Sequence, residues 1–139
     1  ELREFCEKVK DFGGKAKKLS VSGAFHSPFV KEASENFFAL LMNYSLNTPK
    51  IPLFSNLTSL PYSRNYKVLL SNQIKSPVLW QNTVVNMYNS GADIFIEAGA
   101  GKVLSGLISK TLKDVLILHI EEPESLEQTV SAIKGAGAL

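Results

Sequence analysis

The 139-residue chain is poor in the residues that would point quickly to a chemistry. It has one cysteine, Cys6, so no internal disulfide framework is available, and a lone thiol fits a reducing compartment. It has two histidines, His26 and His119, far apart in sequence, and no Cys/His cluster with ligand spacing, so a metal centre is not expected. Arginine is limited to Arg3 and Arg64, and a net charge of +2 exerts no general pull toward nucleic acid or acidic lipid. No run approaches the roughly 18–20 apolar residues of a membrane span. No signal or transit peptide is evident. The chain opens without methionine, already inside a helical pattern, and reads as a piece of something longer.

What is present is the material of one soluble globular domain: 45% hydrophobic and 20% charged residues. Leu2, Phe5, Cys6, Val9 and Phe12 trace one helical face, and Gly13-Gly14 supplies a stop. "AKKLSVS" (16–22) reads as a strand running toward His26, and Pro28 suits the first position of the next helix, through Val30, Ala33, Phe37, Leu40 and Leu41. "IPLFSN" (51–56) reads as a short strand. A helix is predicted over about 66–75, broken by Ser76-Pro77, and another from Trp80 to Gly91. A strand over 93–99, a helix over 101–113, a strand over 115–120 and a helix opening at Glu122-Pro123 complete the order. Alternating strands and helices give an α/β fold, a mostly parallel sheet flanked by helices. In such sheets functional groups gather in loops after the strand ends, where His26 falls.

Several motifs fail on single residues. A Walker A loop ending at Gly101-Lys102 needs glycine at 96 and Ser or Thr at 103, where Ile96 and Val103 stand. The dinucleotide fingerprint from Gly99 needs glycine or alanine at 104, occupied by Leu104. A weak anion site at that helix start stays open. No nucleophile elbow of the G-x-S-x-G type is found, so a catalytic His26 would have no nucleophile within the chain. Cys6, on an apolar face, reads as packing and His119 as a core or edge residue. Glu97, at a strand end, is a candidate supporting group.

"LSVSGAFHSPFV", "IPLFSN" and "NQIKSPVLWQNTVVNMYNSGADIFIEAGAGKVLSGL" together resemble the malonyl-CoA:acyl-carrier-protein transacylases. The same family includes the malonyl-type acyltransferase domains of fatty-acid and polyketide synthases. The specific set is A-F-H, then S/T-N, then Q-x-x-x-P-V-x-W, then E-x-G-x-G-x-x-L-x-G-L, in the family's order. Only the C-terminal part of the family is matched. Its G-Q-G segment, its G-H-S-x-G elbow with the nucleophilic serine, and its malonate-binding arginine have no counterpart here.

The resemblance implies a division of the chain. Residues 1–14 would end a small ferredoxin-like subdomain, 15–135 would be the C-terminal part of a large hydrolase-like α/β core, and 136–139 a tail. It implies that His26 is the general base and acid, and that the main-chain carbonyl of Gln73 orients it. Phe25 would narrow the room for a 2-methyl branch. Asn56 would either shape the site floor through side-chain hydrogen bonds or only build the turn after its strand. The implied substrates are malonyl-CoA and the phosphopantetheine thiol of acyl carrier protein, with no permanently bound cofactor and no metal. The implied partners are the carrier protein and the missing N-terminal part of the enzyme, with neither nucleic acid nor membrane. The expected setting is the cytoplasm, or a plastid, apicoplast or mitochondrion making its own fatty acids. Two other readings stay open: a non-catalytic carrier-binding or scaffold module, and a serine-hydrolase relative.

Overall fold

A computed structural model describes residues 1–18 and 21–137. Among these residues six α-helices and two strands follow one another in the order α1 (Leu2–Asp11), α2 (Lys31–Leu41), α3 (Tyr66–Asn72), α4 (Trp80–Asn89), β1 (Ile94–Ala98), α5 (Val103–Thr111), β2 (Leu116–Ile120) and α6 (Pro123–Gly135). Short 3-10 turns at Pro28–Val30 and Gln73–Lys75 extend the start of α2 and the end of α3.

β1 and β2 pair in parallel, Ile94 opposite Leu116 through Ala98 opposite Ile120, with α5 as the crossover. A parallel pair needs such a connection, because a tight turn cannot reverse the chain twice. Register places Phe95 and Ile117 on one face, where they meet α4 and α5. Val84, Phe95, Ile108 and Leu112 form the buried cluster there, flanked by Trp80, Val85 and Met87. α6 packs on β2, and the Thr129 hydroxyl donates to the His119 carbonyl at 3.2 Å. Gly91, at φ +99°, closes α4 in a backbone conformation that side chains with a Cβ rarely adopt. α6 opens as the sequence pattern indicates, with Pro123 in its first turn and Ser125 and Glu122 bonded in a capping box.

The α/β class holds, and the helices fall where their periodicity places them. Two predicted strands do not form as drawn. Over 51–56 only an isolated antiparallel bridge, Phe54 to Pro61, is present. The segment folds back on itself instead: Ser55 N–H donates to the Leu60 carbonyl at 2.9 Å and Tyr62 N–H to the Leu53 carbonyl at 2.8 Å. Pro52 and Pro61 remove ladder donors on both limbs, so the pairing cannot extend. Within 16–22, Leu19 and Ser20 lie outside the described residues, and the described remainder is not strand. An apolar run becomes a strand only with a partner, and no described neighbour pairs with it.

The first helix also differs from a packed amphipathic element. Among the described residues α1 packs against no other helix or strand, and Phe5 and Phe12 are exposed. The buried apolar packing is instead concentrated in the α4–β1–α5–β2 cluster. Ile108→Ala, emptying a site 5% exposed, is expected to cost about 2–5 kcal/mol. Val103→Ala, on the exposed face of the same helix, should stay within about 0.5 kcal/mol. Denaturant midpoints for the two variants check the contrast.

Candidate active site

The site begins with a helix that cannot continue. In an unbroken α-helix the carbonyl of Gln73 would accept from the N–H of residue 77, and residue 77 is proline. Ser76, preceding it, is pushed to an extended conformation at φ −120° and ψ 151°. The last carbonyls of this element thus face outward with lone pairs to satisfy.

His26 meets them from the opposite side. Its backbone N–H donates to the Ile74 carbonyl at 3.1 Å, and its ring Nδ1 lies 3.0 Å from the Gln73 carbonyl oxygen. A carbonyl only accepts, so the proton of this bond sits on Nδ1. In the neutral imidazole the basic lone pair is then on Nε2. To reach both carbonyls His26 adopts φ +57°, the left-handed region, which costs an ordinary residue about 1–2 kcal/mol. Two hydrogen bonds at roughly 0.5–1.5 kcal/mol each offset that cost. The next residues hold the geometry: Ser27 Oγ accepts from the Phe29 N–H at 3.3 Å and donates to the Ala24 carbonyl at 2.6 Å, and Pro28 follows at the first helical position.

The other expected site residues are placed differently. Phe25 is exposed beside His26, its ring 3.6 Å from where a Cβ on Gly23 would stand. Asn56 acts through its main chain, its carbonyl accepting from the Leu79 N–H at 2.9 Å and tying the 51–62 turn to the start of α4. Among the described residues no hydrogen bond joins Asn56 to His26. The structure therefore brings His26 and Gln73 together, sets Phe25 next to them, and gives Asn56 a place in the turn.

Among the described residues no hydrogen bond joins Glu97 to this pair. Its carboxylate accepts from the backbone N–H groups of Leu104 at 3.0 Å and Ser105 at 2.8 Å, and from the Ser105 hydroxyl at 2.6 Å. It caps α5, and the Ser105 hydroxyl, then the backbone N–H bonds, hold its pKa below the usual glutamate value of 4.5. The anion site left open at this helix start is thus filled by the chain's own carboxylate. His119 is tied in nearby, with Nε2 3.1 Å from the Gly99 carbonyl and 3.5 Å from Glu121 Oε2. No cluster able to hold a metal occurs among the described residues.

The left-handed backbone of His26, and its second bond through the backbone N–H, were not anticipated from the residues. The Gln73-to-Pro77 spacing is the signal that points to a free carbonyl there.

No family model matches the chain. Curated relatives do. A malonyl CoA-acyl carrier protein transacylase of Staphylococcus aureus (strain MSSA476) is 37% identical over 130 residues, which is 91% of this chain and 42% of the relative. One of Bacillus subtilis (strain 168) is 32% identical over 131 residues, 92% of this chain and 41% of the relative. Among solved structures, the malonyl CoA-acyl carrier protein transacylase of Clostridium perfringens superposes with a TM-score of 0.91 at 37% identity, over 99% of this chain and 44% of that one. The acyl-carrier-protein S-malonyltransferase of Burkholderia pseudomallei gives 0.85 at 30% identity, over 94% and 43%. The chain spans about two-fifths of the length of the proteins it matches.

The cap on α5 makes a pH prediction. A carboxylate whose native pKa is depressed contributes stability that is present above 4.5 and lost as pH falls through its lower native value. Glu97→Gln should therefore melt at a lower temperature than wild type at neutral pH. The gap should close as the pH drops well below 4.5, where both side chains are uncharged. Thermal melts across that range check it.

Proposed function

We propose that this chain, similar in sequence and fold to two-fifths of a malonyl CoA-acyl carrier protein transacylase, is the C-terminal part of such an enzyme and carries its general base. The observation that supports the reading is the 3.0 Å bond from His26 Nδ1 to the Gln73 carbonyl, which leaves Nε2 as the basic nitrogen.

The proposed reaction moves a malonyl group from coenzyme A to the phosphopantetheine thiol of acyl carrier protein through a serine ester. The serine, and the arginine that would pair with the malonyl carboxylate, belong to sequence outside this chain, so the chain alone would be inactive. His26 Nε2 takes the serine proton as the hydroxyl oxygen attacks the thioester carbonyl. The tetrahedral adduct collapses, its carbon–sulfur bond breaks, and the departing thiolate takes the proton from Nε2. The carrier's thiol then attacks the serine ester, passing its proton to Nε2, and the serine oxygen recovers that proton as it leaves. A carbonyl at Nδ1 fixes the tautomer as a carboxylate would, but stabilises the imidazolium less. That balance suits a transfer that runs in both directions between thioesters of similar energy.

Phe25, beside the base, would limit a branch on the acyl group. Asn56 would act by holding the turn against Leu79 rather than by touching substrate. Residues 1–14 would close a ferredoxin-like subdomain, a reading supported by the separateness of α1 and its exposed apolar face. Residues 15–135 would be the large core and 136–139 a tail, of which Ala138 and Leu139 lie outside the described residues. The free thiol of Cys6 fits a reducing compartment, the cytoplasm or an organelle that makes fatty acids. No helix among the described residues is long and apolar enough to cross a membrane.

His26→Asn tests the base in the full-length enzyme. Asparagine tolerates the left-handed backbone and keeps an N–H donor, but has no basic nitrogen. Malonyl transfer should fall by about 10²–10⁴-fold with little change in melting temperature. Near-normal turnover would contradict the assignment.

A further inference from the structure

A buried hydroxyl on α2 has no place in the chemistry above. Ser34 is 2% exposed, and its Oγ donates to the main-chain carbonyl of Ser71 at 2.7 Å. Ser71 is itself 3% exposed, stands in the last turn of α3, and precedes Gln73 by two residues. Serine is a poorer helix former than alanine, and alanine would fill the same space. A buried hydroxyl is costly unless it is bonded, so its presence is explained by the bond it makes.

That bond closes a ring. From His26 the chain passes through the Ser27 cap and the 28–30 turn into α2, reaches Ser34, crosses to Ser71, and returns through Gln73 to the His26 imidazole. The ring has two noncovalent links, and the two carbonyls they use belong to one helix end. Successive carbonyls on an α-helix are turned by about 100°. A slip of α3 by one residue along α2 would therefore swing the Gln73 carbonyl away from Nδ1.

We infer that Ser34 is a positioning residue: its hydroxyl holds the end of α3 in the register that presents the Gln73 carbonyl to the His26 ring. The inference rests on the proposed role of His26 for its consequence on rate, but its structural claim concerns the ring tautomer and can be read separately. Without the Ser34 link, the His26 backbone N–H bond to the Ile74 carbonyl is left to hold this register alone, the Gln73 carbonyl is held less firmly at Nδ1, and a larger share of the imidazole takes the other tautomer. Only the tautomer with the proton on Nδ1 offers Nε2 as a base.

The test uses the full-length enzyme with Ser34→Ala and Ser34→Thr, beside wild type and His26→Asn. The open groove of about 270 Å³ lined by Ser34, Phe38, Val68 and Ser71 gives the added methyl of threonine somewhere to go. Two readouts are taken: the ring-nitrogen NMR signals of His26, and kcat and KM for malonyl-CoA. Ser34→Ala should lower the fraction of the Nδ1–H tautomer and cut kcat by about 10–100-fold, with KM nearly unchanged. Ser34→Thr, which keeps the hydroxyl, should restore both. A cooperatively melting Ser34→Ala with wild-type tautomer signals and rate overturns the inference. Should the alanine variant fail to fold, Ser34→Cys, with its weaker donor, is read by the same two criteria. Equal transfer by wild type and His26→Asn overturns the catalytic reading instead, and the NMR signals still decide the role of Ser34.

Discussion

A helix that ends against proline leaves carbonyl groups with lone pairs to satisfy, and the candidate site is built on that requirement. Pro77 cannot supply the N–H that Gln73 would use in a longer helix, and Ser76 is driven out of helical geometry by the ring that follows it. His26 fills the vacancy twice, with its backbone N–H and with Nδ1. The energies are small and nearly cancel, about 1–2 kcal/mol of backbone cost against two hydrogen bonds of roughly 0.5–1.5 kcal/mol each. The arrangement is therefore kept by what surrounds it: the Ser27 cap on one side and the buried Ser34–Ser71 bond on the other.

The same physics explains which groups are not recruited. A carboxylate would orient an imidazole more strongly than a carbonyl does, and Glu97 stands at a strand end where such groups often act. It is consumed by two backbone N–H groups and a hydroxyl at the start of α5. His119 is held between the Gly99 carbonyl and Glu121 at the far end of β2. The sheet end is thus closed by its own side chains, and the exposed imidazole is that of His26. A neutral orienter and an exposed imidazole suit the proposed base, which must both accept and return a proton in each half of a transfer.

Much of this was legible in the sequence, for reasons that differ by element. The helices follow from apolar spacing and from stops at Gly13-Gly14, Ser76-Pro77 and Gly91, which act locally. β1 and β2 follow from short apolar runs around the α5 crossover. The run 51–56 has the composition of a strand, yet strand formation depends on a partner, and Pro52 and Pro61 deny it all but one bridge. The exposure of α1 could not be read from its periodicity, which states that a face is apolar but not what covers it. At the site, the His26–Gln73 pairing came from the resemblance, and the free carbonyl from the proline that follows. The left-handed backbone of His26 carries no mark in composition, because histidine is not glycine. The role of Ser34 was invisible for a similar reason, since a serine inside a helix reads as a solvent-facing residue until its depth is known.

The central claim is that this chain holds the base while the nucleophile lies elsewhere. Intact mass of the 139-residue chain after exposure to malonyl-CoA, alone and together with the N-terminal segment of such a transacylase, tests it most directly. The account predicts no covalent gain on the chain in either mixture, and a malonyl adduct on the added segment when both are present. A malonyl adduct on the chain alone would contradict it, because a nucleophile would then lie among these residues.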